Sequence, residues 1–469
     1  MGHPLQPTAG VAVQEPVVLR RGRDLCGVGG DRAAHPGAGS GGRVATVLPR
    51  RELTRLAQRH TIRVAKYLTQ GLPVKNRQVL ILFIGLFIVM VGFGIIIPIL
   101  PYFAESMGAT SVHLGSLMAS YSLMQFIFAP IWGRYSDRVG RRPVILLGLM
   151  GFGLTFLMFA LASRLWMLFA ARILGGVLTS AMLPTAMAYI GDSTSERDRG
   201  GGMGLMGAAM GLGMIFGPAI GGYLGVLSFR APFFMAAGLG FLTSALAFFV
   251  LPESLPPERR TQRGPRARRP SLWAALKGNL GYVFFLSFLV AFAMGNLESM
   301  FALFAEAKLG FGSAEVGTVF TVVGIIGVAL QGVAVGKAVN RWGEIAVSRA
   351  ALLMTAIGYL LVTRATNLLT LILFVAVQNL GSAFLNPSLS SYVSKRADAG
   401  QGTAMGLQQS FMSLGRVAGP LWGGAVFSIS YHMPYYTGAV IMLLGFLGSL
   451  VFLNGARLPT PQPAPEREA

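Results

Sequence analysis

The sequence predicts an all-α polytopic membrane protein in which twelve transmembrane helices form two pseudo-symmetric six-helix bundles. Three observations support this fold class. The chain is 53% hydrophobic and only 12% charged, with a mean hydropathy of +0.60, which is too apolar for a soluble domain. It contains twelve apolar segments long enough to cross a bilayer. Residues of its first half also recur in its second half at a nearly constant offset.

The twelve segments meet the length that a membrane helix needs, which is about 20 residues for a hydrocarbon core of about 30 Å. The predicted spans, numbered 1 to 12, lie near residues 78–103, 113–132, 143–162, 165–190, 203–226, 231–251, 280–304, 314–336, 346–363, 368–392, 402–429 and 434–454. They divide the chain into an N-terminal tail (1–77), a first bundle (78–252), a loop (253–279), a second bundle (280–455) and a C-terminal tail (456–469). The loop is rich in Pro and Arg, which is typical of a flexible linker.

The distribution of basic residues predicts the orientation. If both termini are inside, the inner loops carry eighteen Lys and Arg residues and the outer loops four. The positive-inside rule therefore predicts cytoplasmic termini in a plasma (inner) membrane of bacterial type. The net charge of +21 is then explained by contact with membrane lipid, and no nucleic-acid partner is expected.

The N-terminal tail is basic and poor in acids, and its composition predicts disorder for most of its length. Three interpretations remain open: a basic amphipathic helix on an anionic membrane surface, a transit peptide, or residues upstream of the natural start.

A charged motif, "GRYSDRVGRRPV", lies between predicted spans 2 and 3. Its acid, Asp137, stands among arginines at a helix end, where it can accept their hydrogen bonds or meet the N-terminus of a facing helix. Four of its residues recur 203 positions later, where Gly133, Asp137, Arg138 and Gly140 correspond to Gly336, Asn340, Arg341 and Gly343.

A glycine ladder in predicted span 5 is repeated as well. Gly213, Gly217, Pro218, Gly221 and Gly222 correspond, 202 positions later, to Gly415, Gly419, Pro420, Gly423 and Gly424. Glycines at every fourth residue share one helix face and leave a smooth groove for a partner helix. So many matches at one offset indicate a duplication, which places a binding site near the membrane midplane between the halves.

These residues resemble the major facilitator superfamily, and within it the twelve-helix drug:proton antiporters that include tetracycline and multidrug efflux pumps. The resemblance covers about residues 78 to 455. The charged motif matches the signature of the loop between spans 2 and 3 in full, and "GLMGAAMGLGMIFGPAIGGYLG" matches the span 5 signature of antiporters. "ARILGGVLTS" is a looser match to the span 4 signature, which keeps Arg172 and Gly176 but has Gly175 where the family often has Gln.

The resemblance implies a cytoplasmic gate that latches the halves together when the cavity opens outward. Its residues would be Gly133, Asp137, Arg138, Gly140, Arg141 and Arg142, with Asn340 and Arg341 in a second copy weakened by the loss of its acid. The alternative is a positive cluster that only sets topology. The resemblance also implies that the span 5 glycine face seals the halves, and the alternative there is simple close packing.

Ionisable residues inside a membrane are functional candidates, because charge is costly there. Glu298 is the acid that lies well inside a predicted span, about 27 Å along span 7 at about 1.5 Å per residue. Arg416 lies about 22 Å along span 11, so we expect the two to pair and protonation of Glu298 to break the pair. The alternative is that Glu298 faces external water. The resemblance assigns proton transfer to Arg172, for which a structural hydrogen bond in span 4 is the alternative.

The resemblance places the substrate cavity among spans 1, 4, 7 and 10. Candidate lining residues on these and flanking spans are Gln125, Met294, Asn296, Phe301, Gln378 and Asn379. With no further charged anchor than Glu298, the cavity suits an apolar or cationic amphipathic compound.

The function implied is a proton-coupled antiporter, acting as a monomer, that exports small amphipathic drugs or xenobiotics by alternating access. We expect no enzyme activity, cofactor or metal, because the five histidines lie in the tail or at span ends and no phosphate-binding loop is present. Two alternatives remain: a uniporter or symporter for a metabolite, and a membrane sensor or scaffold that transports nothing.

Overall fold

The chain is described by a computed structural model that covers residues 74–194, 196–260, 275–276, 280–397 and 401–453. The C-terminal tail, residues 1–73 of the predicted N-terminal tail and most of the predicted 253–279 linker lie outside the described residues. The described part is built from helices: Val74–Glu105, Ser111–Val139, Arg141–Leu161, Leu165–Thr179, Met182–Ser193, Glu196–Leu227, Ala231–Val250, a short 3₁₀ turn at Pro257–Arg259, Gly281–Leu309, Ser313–Val362, Leu368–Lys395, Gln401–Phe427 and Met433–Phe452.

These helices form the twelve predicted spans. Leu165–Thr179 and Met182–Ser193 together make span 4, and Ser313–Val362 contains both span 8 and span 9. Within the described residues, eleven spans are long and apolar enough to cross a membrane by length and composition. Gln401–Phe427 is span 11; it is more polar, but its 27 residues are about 40 Å long at about 1.5 Å per residue.

The second span of each half ends at a glycine, and the two glycines have a similar backbone conformation. After span 2, Gly140 adopts φ 109° and ψ 162°, and after span 8, Gly343 adopts φ 79° and ψ 160°. This region of positive φ is open to glycine and strained for other residues. The structure thus keeps the 203-residue repeat at this turn. The residues predicted as a loop between spans 8 and 9 are helical apart from this one break.

Each half has its own hydrophobic core. One core is formed by buried residues of spans 1 to 6, with Phe152, Phe159 and Phe233 among its largest side chains. The other is formed by spans 7 to 12, with Phe301 and Tyr359 near its centre. The burial of apolar surface stabilises both cores, and each core contains side chains that are almost fully enclosed. The fold is therefore two helical bundles, as the sequence predicts.

The halves meet along two equivalent seams at one end of the bundle, here called the closed end. In the first seam, Ser111 Oγ donates to the Gly424 carbonyl at 2.9 Å, and Gly115 lies against Pro420 and Gly424. In the second, Ser313 Oγ donates to the Gly222 carbonyl at 3.0 Å. There Gly317 lies against Pro218 and Gly222.

Both seams keep the 202-residue offset, since Ser111 and Gly115 correspond to Ser313 and Gly317. Tyr102 adds a third crossing at the same end, because its hydroxyl donates to the carbonyls of Ala302 and Phe311 at 3.2 and 3.0 Å. Small residues let the helix backbones come close, which favours tight packing in a membrane.

The halves separate toward the other end, here called the arginine-rich end because it carries the "GRYSDRVGRRPV" motif. Glycines on all four seam helices have open space around them at this end, with no atom of another segment within 4 Å of an added Cβ: Gly133, Gly204, Gly336 and Gly406. The described structure is therefore closed at one end and open at the arginine-rich end.

Candidate functional site

A central cavity of about 80 Å³ lies between the halves, beyond the seams, and brings together the three charged residues predicted within the spans. Span 4 contributes Arg172, span 7 contributes Glu298 and span 11 contributes Arg416. Phe93 and Tyr121, from spans 1 and 2, complete the wall on the first half. The cavity is thus a mid-bundle site built by both halves, which is the location expected for a duplicated membrane fold.

Glu298 and Arg416 line this cavity from neighbouring helices of the second half but do not form a close ion pair. Among the described residues, the ion pairs within 4.0 Å are elsewhere. The Arg416 side chain is exposed to the cavity and Glu298 is partly exposed. Because the two side chains are oppositely charged in a poorly solvated site, they attract each other over this longer distance. The predicted contact pair is therefore replaced by two groups on one cavity wall.

Arg172 is far more enclosed, with only 2% of its surface exposed. One guanidinium nitrogen, Nη2, donates to Met118 Sδ at 2.6 Å, and the guanidinium lies 5.3 Å from the centre of the Tyr121 ring. Its Nε has no hydrogen-bond partner. Tyr121 is fixed in turn by a 3.0 Å hydrogen bond between its hydroxyl and Thr179 Oγ1. The Met and Tyr contacts hold the guanidinium in place without neutralising its charge.

Behind Arg172, a second and smaller space, the aromatic chamber, extends into the first half. It has a free volume of about 20 Å³ and joins the central cavity at Phe93, Ile96, Tyr121 and Arg172. The other side chains of its wall are mainly aromatic, with Phe152, Phe156 and Phe159 beside Thr155. The chamber is therefore apolar except for the Arg172 guanidinium and a few hydroxyl groups.

The predicted gate residues of the first half pair with one another in this structure. Arg141 contacts Asp137 at 2.6 Å and Asp192 at 3.0 Å, and it donates to Ser136 Oγ at 2.7 Å. The backbone N–H groups of Arg141 and Arg142 donate to Glu253 at 2.8 and 3.2 Å.

Gly140 lies against the same Glu253 carboxylate, and the Arg142 guanidinium donates to the Phe248 carbonyl. Gly133 and the exposed Arg138 lie beside this cluster on the end of span 2. All of these partners belong to spans 2 to 6 or to the turn after span 6, so the cluster ties the loop between spans 2 and 3 to its own half.

The second copy of the motif has an acid after all, at a different position. Asn340 and Arg341 are exposed, and the Arg341 guanidinium lies over Trp342, 5.6 Å from the ring centre. Three residues after Arg341, Glu344 pairs with Lys395 and accepts a hydrogen bond from Ser391 at 3.0 Å. Glu344 and Lys395 correspond at the 203-residue offset to Arg141 and Asp192. The second half therefore repeats the ion pair with its charges reversed, while the position that corresponds to Asp137 is held by Asn340, as the sequence predicts.

The span 5 glycine ladder packs mainly inside its own half. Gly213, Gly217 and Gly221 lie against the backbone of span 1, near Phe87, Val91 and Ile95. The second ladder does the same, with Gly415 and Gly419 against span 7. In span 5, Gly222 and the carbonyl of Pro218 turn toward the other half, where they form the second seam. The sequence did not single out their partners Ser313 and Gly317, although both obey the same offset.

The six predicted cavity residues divide into two groups. Asn296, Phe301 and Gln378 are at most 2% exposed and lie within the second half. Asn296 donates to the Pro434 carbonyl at 2.6 Å, and Gln378 donates to Ser382 Oγ at 3.2 Å. These three side chains are enclosed in the interior of the second bundle and do not line the central cavity in this structure.

Gln125, Met294 and Asn379 are partly exposed but do not line the central cavity either, and Asn379 Oδ1 lies beside Gly327 of span 8. Sequence reasoning missed Tyr121 and Thr155, two polar side chains that line the aromatic chamber with Arg172. The spacing of Tyr121 and Thr155 in the sequence offers no signal, because most residues in both helices are apolar.

Comparisons with known proteins agree with this architecture. The family model described as "Major Facilitator Superfamily" matches residues 82–282 and 283–469, one match for each half. Multidrug resistance protein 2 of Bacillus subtilis is 32% identical over 370 residues, covering 78% of this chain and 92% of the relative. Quinolone resistance protein NorA of Staphylococcus aureus is 27% identical, covering 80% of this chain and 96% of NorA.

A solved structure is similar over the same range. The human organic anion transporter MFSD10 (TETRAN) is 27% identical, with a TM-score of 0.61, and the match covers 80% of this chain and all of that one.

Proposed function

Because this chain belongs to the major facilitator superfamily, we propose that it is a secondary active transporter that exports small amphipathic compounds in exchange for protons. One observation carries the proposal: Arg172, Glu298 and Arg416 meet on one cavity between two bundles that are joined at one end and apart at the other. The names of the relatives, which refer to multidrug and quinolone resistance and to organic anions, support an amphipathic cargo.

In this proposal the arginine-rich end faces the cytoplasm, with both termini on that side of the plasma membrane. The positive-inside bias of the loops supports this orientation. The described structure is then the inward-open state, in which cargo enters from the cytoplasm. Rocking the two bundles about the central cavity would open the seams and bring the arginine-rich ends together, as alternating access requires.

Glu298 is the proposed proton carrier. It is the acid that lines the central cavity, and it is partly exposed to that cavity, so a proton from either side can reach it as access alternates. When Glu298 is ionised, it attracts Arg416 on the same half; when it is protonated, that attraction is lost. Occupancy by a proton therefore changes the net charge that the second half presents to Arg172 on the first half.

The gate is proposed to form in the outward-open state. The cluster of Asp137, Arg138, Gly140, Arg141 and Arg142 is rigidly held to the first half by Asp192 and Glu253. Asn340 and Arg341 are exposed on the other half and free to be approached when the arginine-rich ends close. Acid groups near a helix N-terminus stabilise it, so span 11 is a suitable partner for Asp137. We expect a monomer in contact with lipid and protons, because one chain contains both halves of the cavity.

Proton exchange in proteoliposomes tests the proposal. An internal pH dye is followed while amphipathic compounds are added to wild type, to Glu298→Gln and to the control Glu306→Gln, which changes an exposed acid at the end of the same helix. We expect compounds to collapse the proton gradient in wild type and in the control, and not in Glu298→Gln.

Three other results would favour the alternatives. Compound uptake with no proton movement in wild type would identify a uniporter. Proton and compound movement in the same direction would identify a symporter. If no compound moves and none binds, a sensor or scaffold is the better description.

A further inference from the structure

The central cavity has more positive than negative charge. Within the part of the chain that the structure describes, its ionisable wall consists of two arginines, Arg172 and Arg416, and one acid, Glu298. Even with Glu298 ionised, one positive charge is uncompensated, and protonation of Glu298 leaves two. A charge buried at membrane depth is costly unless it is paired. The cavity is therefore incomplete without an anionic group.

Arg172 is the arginine that lacks a partner for its charge. It is 2% exposed, its contacts are the Met118 sulfur and the Tyr121 ring, and its Nε donates to nothing. A guanidinium has five N–H donors in a planar fork, and thioether sulfur is a weak acceptor. Leaving such donors unsatisfied in a buried site costs free energy, so the site favours a ligand that accepts hydrogen bonds.

A second unpaired polar atom belongs to a residue of the same wall. Thr155 is 3% exposed, its Oγ1 has no hydrogen-bond partner, and it lines the aromatic chamber together with Arg172. The chamber's free volume of about 20 Å³ holds one or two atoms of water size, since one such atom needs about 10–15 Å³. That space admits the oxygens of a small polar end group such as a carboxylate.

The body of the ligand would then lie in the adjoining central cavity. Phe93, Ile96 and Tyr121 line both spaces, so a compound anchored in the chamber continues along two aromatic rings. Rings of this kind pack well against an aromatic or other flat apolar group. The cation and the hydroxyl group suit the polar end of an amphipathic ligand, and the aromatic wall suits its apolar end.

We propose that Arg172 and Thr155 form an anion-binding subsite that takes the carboxylate of an aromatic amphipathic cargo. The Arg172 fork accepts a carboxylate in a bidentate manner, and Thr155 donates a further hydrogen bond. A single negative charge makes the cavity neutral when Glu298 is ionised. This inference rests on the proposed export function and specifies its cargo as an aromatic carboxylate, in place of the apolar or cationic compound expected from the sequence.

Binding of three matched probes to the purified, full-length protein tests the subsite. Naphthaleneacetate, naphthaleneacetamide and naphthylethylamine share the same ring and carry an anionic, a neutral and a cationic end group. In calorimetric titrations, we expect wild type to bind the acetate at least about 10-fold more tightly than the amide, which corresponds to about 1.4 kcal/mol. We expect Arg172→Gln to remove this preference while changing the affinity for the amide less than about twofold.

Further variants separate the subsite from a general effect of charge or folding. Thr155→Val should reduce the preference for the acetate without abolishing it, and Arg172→Lys should retain part of it. Arg230→Gln, which changes an arginine at the end of span 6, should leave it unchanged. Equal binding of all three probes to wild type, or tighter binding of the amine, would overturn the proposal. So would a preference that survives Arg172→Gln and disappears in Arg416→Gln.

The proton-exchange assay fails or succeeds independently of this result. We expect Glu298→Gln to keep the preference for the acetate, because Glu298 lies on the other half and does not touch the chamber. Absence of proton exchange in wild type, with the preference for the acetate intact, would contradict only the proposed coupling. Proton exchange driven by the amine and not by the acetate would contradict only the anion-binding subsite.

Discussion

Replacing Gly317 by Ala should shift the protein out of its closed-end state. A Cβ added at Gly317 would lie 2.5 Å from the Pro218 carbonyl oxygen and 2.9 Å from Gly222 Cα. Both are backbone atoms of span 5, so they cannot move aside as a flexible side chain would. Overpacking of this kind costs about 1–3 kcal/mol. Because the contact exists only while the seam is closed, that cost translates into an increase of about 5-fold to 150-fold in the ratio of seam-open to seam-closed molecules.

Electron-spin distance measurements can follow this shift at both ends of the molecule. One pair of labels at Thr110 and Ser428, exposed on opposite halves at the closed end, reports opening of the seams. A second pair at Arg134 and Met405 reports closure of the arginine-rich end. In Gly317→Ala we expect longer distances for the first pair and shorter distances for the second.

Gly336→Ala is the matched control, on the same helix. Nothing lies within 4 Å of an added Cβ there, and the change alters helix propensity by no more than about 1 kcal/mol. Unchanged distances in Gly317→Ala, or equal shifts in both variants, would refute the role assigned to the seam.

Three further predictions concern single contacts. Lys395→Glu should lower the unfolding temperature, because it brings two acids together. The double variant Glu344→Lys/Lys395→Glu should regain most of the lost stability, to within the ~1 kcal/mol that a partly exposed pair contributes. A double variant no more stable than the single one would contradict the pairing. Asn296→Ala should destabilise the protein by about 1–3 kcal/mol, because the Pro434 carbonyl loses its buried donor; a variant that melts normally but binds cargo poorly would instead place Asn296 in the cavity. Tyr102→Phe removes the single hydroxyl donor that the Ala302 and Phe311 carbonyls share, worth about 0.5–1.5 kcal/mol, and should lengthen the Thr110–Ser428 distance; no change in this distance would show that Tyr102 does not hold the seam.

The sequence was informative wherever a residue stands out from an apolar background. Charge at membrane depth is rare, so Arg172, Glu298 and Arg416 could be identified from hydropathy alone, and the structure does bring them to one cavity. The twelve spans and the duplication were likewise predictable, because length, apolarity and a fixed offset are properties of the sequence itself.

The direction in which a side chain faces was not predictable in the same way. Asn296 and Gln378 lie in helices that are apolar on every side, so no polar face shows which way they point. The structure turns both into the second bundle, where backbone and serine partners are available. Continuity of Ser313–Val362 was also missed, because its single break needs only one glycine and the flanking charged residues read as a loop.

The two seams give the closed end the character of an isologous dimer interface made within one chain. In such an interface the same patch is used twice, so each seam contributes separately to the free energy that holds the end shut. If the bundles move as rigid bodies, changes at Gly115 and Gly317 act on separate contacts and their free energies should add. The fold-changes that the two single Ala variants cause in the ratio of seam-open to seam-closed molecules would then multiply in the double variant. Any departure from that product would measure how far one seam can open without the other.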